Sequence, residues 1–528
     1  MFGVYPAVQH HSAIATKKNV LRLRFMQILL ATTLCCTSSI CSELAVAQNL
    51  PTLGDTAREE LSPLAERKLG EQIMNVVRRD PDYIDDGPVS EYLNRLGDKL
   101  LDASPDARGE QRYDFEFFAV RDPVLNAFAF PGGFIGFHSG LILASQSESE
   151  LASVMGHEIG HVAQRHIARM LSSQKYDALI PLAALALAVL ASRSSPDAAI
   201  ALAAGGQGLA IQKQLNFSRE AEREADRIGF QILRDSGFDA NGMVSFFGRL
   251  QASTRNYNDN VPAYLRSHPL TSERIADIQT RVLDQRYKQI PDSLDFFLMK
   301  ARIRVLQDPT IQGLLDSKLA FDLQMKSERV EDKIAAKYGL AFIALKQLDY
   351  LKADSLYSDA KKQVEKNPVL QPILTRSSVF SSLSIEIAIA EKKYDYAIRE
   401  AEKSIEQLPL SRGLVYQYVG ALLAAQKVGQ AESYLRDQLV LYRQDAKLQN
   451  LLAKVYEIQG KQALQHIALA EAYAIQANWR AAMQQLNIAR LEKDAQYYEQ
   501  SVIDAREREW SVLHKEELVD EKRKKIGI

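Results

Sequence analysis

Met155-Gly156-His157-Glu158-Ile159-Gly160-His161 sets two histidines four residues apart with a glutamate directly after the first. On a helix, residues at that spacing share a face, so both imidazoles reach one ion. Glu158 falls beside them, where it contacts a metal-bound water rather than the metal. Zinc lowers the pKa of such a water to about 7, and an adjacent carboxylate can take its proton as the nucleophile forms. His166, five residues beyond His161, points off this face and reads as a surface or packing residue. Five residues in this pattern also arise by chance, and a catalytic zinc needs a third protein ligand and an open position. The run Ser218-Arg219-Glu220-Ala221-Glu222-Arg223-Glu224-Ala225-Asp226 offers one. Glu222 and Asp226 are four apart and share a helical face, so one can bind the metal while the other supports it. We assign Glu222 as the ligand and Asp226 as the acceptor for the free ring N–H of His157, a contact that fixes the tautomer. A solvated charged face is the usual fate of such a run, but its pairing with the upstream motif favours a metal site.

The elements that must hold these residues are mostly helical. The chain has 528 residues, 46% hydrophobic and 25% charged, which is a globular composition of more than one domain. Its net charge of −1 gives no reason to expect nucleic-acid binding. Lys17, Lys18, Arg22 and Arg24 precede an apolar run from Phe25 towards Cys41, and Ala45-Val46-Ala47 closes it as a cleavage signal. That order predicts a secretory signal peptide over residues 1–47 rather than a retained anchor. Removing it leaves 61 basic against 65 acidic residues and no cysteine, since Cys35, Cys36 and Cys41 all lie within it. Any metal is then held by histidine and carboxylate. Residues 48–63 read as a polar linker and 64–289 as a helical domain with a few strands. Tyr113–Phe117 alternates as a strand, and Phe128–Phe130, Pro131-Gly132-Gly133 and Phe134–Phe137 read as strand, turn, strand. The apolar runs 178–191 and 198–210 are expected as buried or substrate-facing helices, with peripheral membrane contact as the other reading. From 290 to 510 strand signals vanish. Ala353, Ala397, Ala431 and Ala482 open small-residue faces, followed four residues later by Tyr357, Ala401, Leu435 and Leu486. These units read as tetratricopeptide-like helix hairpins of drifting period, a design that presents a concave binding surface. Residues 511–528 read as a charged tail, solvated helix or disordered.

HEIGH, E-R-E-A-D and the stretch NAFAFPGGFIGFHSGL that precedes them together resemble the M48 family of gluzincin metallopeptidases. The secreted start and repeat-like C-terminal half narrow the resemblance to a periplasmic bacterial group concerned with outer-membrane beta-barrel assembly. The resemblance implies a mainly α fold: an α-rich gluzincin-type metalloprotease domain with a small β-sheet, followed by an all-α tetratricopeptide-repeat domain. It implies one Zn2+ per chain and singles out Glu222, over Glu220 and Glu224, as third ligand. It also gives a role to the stretch around Asn126, Phe134, Ile135 and Gly136, where a strand beside the cleft pairs with an extended substrate. His268, in Ser267-His268-Pro269-Leu270-Thr271, matches the family's H-P segment. It either donates to the oxyanion or fills the open zinc position and silences the enzyme. The expected activity is a periplasmic zinc endopeptidase (EC 3.4.24 type) acting on unfolded or stalled outer-membrane proteins, with the beta-barrel assembly machinery met through the repeats. The rival is a chaperone or assembly factor in which proteolysis is secondary. A purely structural zinc is disfavoured by Glu158, since such a site needs no base.

Overall fold

The computed structural model describes residues 62–109, 112–172, 218–255, 263–283 and 290–526. The signal-peptide segment and the apolar runs 178–191 and 198–210 lie outside these residues. The described fold is predominantly helical, with one three-stranded sheet. No described helix is long and apolar enough to cross a membrane.

Helix Pro63–Val77 starts at Ser62, whose hydroxyl accepts from Ala65 N, with proline in the first turn. Helix Gly87–Ala103 starts at Asp86, which caps Val89 N, again with proline in the first turn. Both starts combine a side-chain acceptor with a residue that has no N–H to leave orphaned. The sheet comprises β1 (Glu116–Val120), β2 (Ala127–Phe130) and β3 (Phe134–His138), ordered β1-β3-β2. β1 runs parallel to β3, with Phe118 opposite Gly136; β2 runs antiparallel to it, with Phe128 opposite the same residue. The β2–β3 turn uses Gly132 and Gly133 at φ of 81° and 94°, backbone that only glycine adopts without strain. Helix Pro63–Val77 covers one sheet face through Ile73, Met74 and Val77 against Phe118, Val120 and Phe134.

The two helices that carry the metal motifs, Glu148–Ala163 and Arg219–Asp235, cross at glycine. A Cβ on Gly160 would stand 3.0 Å from Ala225 O, and one on Gly229 would stand 2.8 Å from His157 N. Backbone thus meets backbone, which brings the short carboxylate side chains of one helix within reach of the imidazoles of the other.

One hydrophobic core runs from Ile84 through the metal helix to Ile387. It crosses the point near residue 290 where the sequence texture changes. Helix Leu294–Gln307 buries Phe296, Leu298, Ile303 and Val305 against helices Gly87–Ala103, Ser139–Ala144 and Val330–Lys346. A boundary at 289/290 therefore does not correspond to a gap in packing. Further on, Ala353, Ala397, Ala431 and Ala482 each occupy the fourth position of a helix and are fully buried. Five residues before each stands Leu348, Lys392, Gln426 or Ala477, a turn residue with φ between 51° and 63°. The last described helix, Tyr497–Ile526, is continuous through position 511 and buries Ile503 and Trp510. The segment expected as a separate tail is its second half.

Candidate metal centre

Helix Glu148–Ala163 places His157, Glu158 and His161 at its buried end, each at most 1% exposed. Helix Arg219–Asp235 faces them with Glu222 and Asp226, and the loop after helix Ala263–Ser267 brings in His268. Four donor atoms, one each from His157, His161, Glu222 and His268, converge within 4.8 Å of one another. His157 Nε2 stands 3.0 Å from His161 Nε2 and 3.4 Å from His268 Nδ1. Glu222 lies 3.4 Å from His161 Nε2, 3.5 Å from His157 Nε2 and 3.0 Å from His268 Nδ1. Ligand atoms on a tetrahedral zinc stand about 3.3 Å apart, as follows from bonds of roughly 2.0–2.1 Å. The donor set and its spacing fit that ion. Three imidazole nitrogens and a carboxylate turned towards one point suit a shared cation.

Asp226 Oδ1 lies 2.9 Å from His157 Nδ1. Burial works against the His157 imidazolium, but Asp226 and Glu222 outweigh it and raise its pKa to about 10. His161, wholly buried with fewer compensating contacts, is held well below the ordinary imidazole value by that burial. Burial acts against the Glu222 and Asp226 carboxylates too, yet their cationic partners hold both below the ordinary range. Glu158 goes the other way. Burial raises its pKa, and neither of its oxygens has a hydrogen-bond partner among the described residues. His268 Nε2, at 3.6 Å, is a near neighbour without bonding to it.

His268 itself is held from behind. Its ring stacks on buried Tyr264 at 4.6 Å between centroids, and its backbone N–H donates to Tyr264 O at 2.8 Å. Arg274 fixes the next residue, donating from Nη1 to Pro269 O at 2.7 Å.

Residues outside the expected set complete the site. Buried Arg274 grips both Asp226 oxygens at 2.6 and 2.8 Å and reaches Glu222 Oε2 at 2.7 Å. The available signal was an arginine in the first turn of the helix that follows the His-Pro loop. His166, expected at the surface or in packing, is buried in a polar contact, 2.8 Å from Nδ1 to His161 Nδ1. The helix breaks at Arg165, whose φ is 52°, and the break turns His166 back towards the site. The strand-pairing role expected of Phe134, Ile135 and Gly136 does not fit the sheet. These residues lie on β3, whose backbone is paired with β1 on one side and β2 on the other. Among the described residues the edges of the sheet are β2 and β1, the latter bridged at Val120 by Tyr83. Asn126, just before β2, is buried, and its carbonyl accepts from His138 N at 3.0 Å.

Comparison with known proteins bears on this site. The profile of peptidase family M48 matches residues 89–282. A Vibrio cholerae relative is 38% identical over 332 residues, 61% of this chain and 66% of its own length, just under two thirds. The Escherichia coli K12 protein named beta-barrel assembly-enhancing protease is 30% identical over 463 residues, 87% of this chain and 91% of its own. An Arabidopsis thaliana protein named mitochondrial metalloendopeptidase OMA1 is 26% identical over 44% of each chain.

Proposed function

The chain belongs to peptidase family M48 and is a metallopeptidase; we propose that its metal is zinc, held by His157, His161 and Glu222, and that Glu158 is its general base. The observation that carries this reading is the convergence of those three donors beside a buried carboxylate whose oxygens make no hydrogen bond. Zinc when bound supplies Lewis acidity towards the peptide carbonyl and acidifies water. The protein does the rest. Glu158, uncommitted and with its pKa raised, takes the proton from the attacking water and delivers it to the leaving amine nitrogen. Asp226, clamped by Arg274, keeps the His157 proton on Nδ1 and leaves Nε2 to the metal.

His268 acts as a latch in this reading. Its Nδ1 is one of the four converging donors, which places it where water or a substrate carbonyl must enter. Displaced, the same imidazole is in reach to donate to the oxyanion, so the two roles expected of it belong to two states. An extended substrate pairs with β2. Asn126 O bonds to His138 N, and bonding residues alternate along an antiparallel ladder. Ala127 and Ala129 therefore turn their peptide groups outward, and side-chain sequence is read weakly.

We further propose a periplasmic location and unfolded or stalled outer-membrane proteins as clients, met with the beta-barrel assembly machinery through the helix hairpins. The names of the relatives and the signal-like first 47 residues support this. A chaperone or assembly factor is the second reading, favoured by the long run of helix pairs after residue 290. A casein-type assay on zinc-loaded protein decides the chemistry. Wild type should cleave and Glu158→Gln should not; equal cleavage by both would remove Glu158 as the base.

A further inference from the structure

Each metal-facing imidazole has a second ring nitrogen, and the proton must sit there if the metal-facing nitrogen is to be bare. His157 meets this need directly, with Asp226 at 2.9 Å from its Nδ1. His161 is arranged differently among the described residues. Its Nδ1 faces another imidazole, His166 Nδ1, at 2.8 Å. Two nitrogens at that distance share one hydrogen, and which of them owns it is set at the far side of the His166 ring. There His166 Nε2 lies 3.1 Å from Glu224 Oε2, which also accepts from Arg169 Nη2 at 3.0 Å.

A carboxylate held between an arginine and an imidazole only accepts, so His166 carries its hydrogen on Nε2. Neutral His166 then has a bare Nδ1, which accepts from the Nδ1–H of His161. His161 Nε2 is left bare, and it is the atom that stands 3.0 Å from His157 Nε2 and 3.4 Å from Glu222. The alternative tautomer of His161 would set two bare Nδ1 atoms against each other and a hydrogen in the metal position.

We infer that His166 is a positioning residue for the metal site, passing the proton demand of Glu224 to His161 so that His161 presents a bare Nε2. The local backbone is shaped for this role. Helix Glu148–Ala163 gives way to a left-handed residue, Arg165, whose guanidinium is pinned to buried Glu66 at 3.1 Å, and helix His166–Ser172 starts anew. Without that break, five residues of helix would carry His166 away from the face of His161. Ligand and both orienting carboxylates then come from one helix: Glu222, Glu224 and Asp226 all lie on Arg219–Asp235.

The inference rests on the zinc reading above, and zinc affinity of the full chain, measured against a competing chelator, tests the two separately. His166→Phe keeps the ring's bulk and removes both nitrogens; it should weaken zinc binding by roughly 10–100-fold, the usual effect of losing an orienting partner. His166→Asn keeps an acceptor near the Nδ1 position and should recover most of that loss, which a role in packing alone would not predict. Glu224→Ala, at the half-exposed end of the chain of contacts, should weaken binding by about tenfold and decides the matter if His166→Phe does not fold. Wild-type affinity in His166→Phe or in Glu224→Ala would overturn the inference while leaving the zinc reading intact. Equal weakening in the Phe and Asn variants would overturn it as well. A wild-type chain that takes up no zinc would overturn both.

Discussion

The metal centre and the helix hairpins bury opposite kinds of side chain. Around His157, eight charged or ionisable groups (His157, Glu158, His161, His166, Glu222, Asp226, His268 and Arg274) are each at most 3% exposed and contact one another. Around Ala353, Ala397, Ala431 and Ala482 the interior is alanine, leucine and tyrosine, and the ion pairs lie mostly outside. Apolar burial alone stabilises a stack of helices. Buried charge costs folding free energy unless paired, and its concentration in one place marks where chemistry is done. Arg302 is the exception that joins the two regions. It is buried at the head of the hairpins, with Nε at 2.8 Å from both Asp86 oxygens and Nη2 at 2.5 Å from Glu386.

The metal centre and the helices as far as Ile387 share one core, so the first of the hairpins should not fold apart from the metal site. A chain ending at Gln289 should lose folding altogether, read as absent cooperative unfolding by circular dichroism. A folded, zinc-binding fragment would show two independent cores. Next in size is Arg274→Ala, which removes the buried arginine that Glu222 and Asp226 share. Removing one partner from such a cluster costs about 3–5 kcal/mol, to be read from denaturant midpoints in the presence of chelator; a loss under about 1 kcal/mol would mean that water reaches the site. A smaller effect sharpens the electrostatics. With His157 raised to about 10, its imidazole carries a proton at neutral pH that zinc must displace. Affinity should therefore rise about tenfold per pH unit between roughly pH 6.5 and 8.5, and a pH-independent Kd would contradict the assigned shift. The smallest effect belongs to the hairpins. Leu348 and Lys392 occupy left-handed turn positions, so Leu348→Gly or Lys392→Gly should raise stability by up to about 1 kcal/mol, read as a higher Tm. Destabilisation would show that these side chains hold the turn.

What was legible in the sequence followed the same division. His157, Glu158, His161, Glu222 and Asp226 lie on helices at fixed spacings, so their meeting needs only a helical period and one close crossing. Strand positions near 113–117, 128–130 and 134–137 were readable from alternation and the two glycines; β1 is observed three residues later, at Glu116–Val120. The order of the strands was not readable. β3 is central because β1 pairs with it in parallel across an intervening loop and strand β2, a non-local event that leaves no local pattern. Arg274 and His166 were missed for a related reason: a loop and a helix break bring them in, and spacing arguments hold only within one regular element. The change of texture near residue 290 records the end of strands and a thinning of glycine, not the end of a core.

Two histidines and Glu222 are proposed to hold the metal while Glu158 works beside it. Zinc content per chain in wild type, Glu158→Gln and Glu222→Ala, each purified and dialysed together, separates the ligand from the base. About one zinc is expected in the first two and little or none in the third. A full complement of zinc in Glu222→Ala would contradict the ligand assignment.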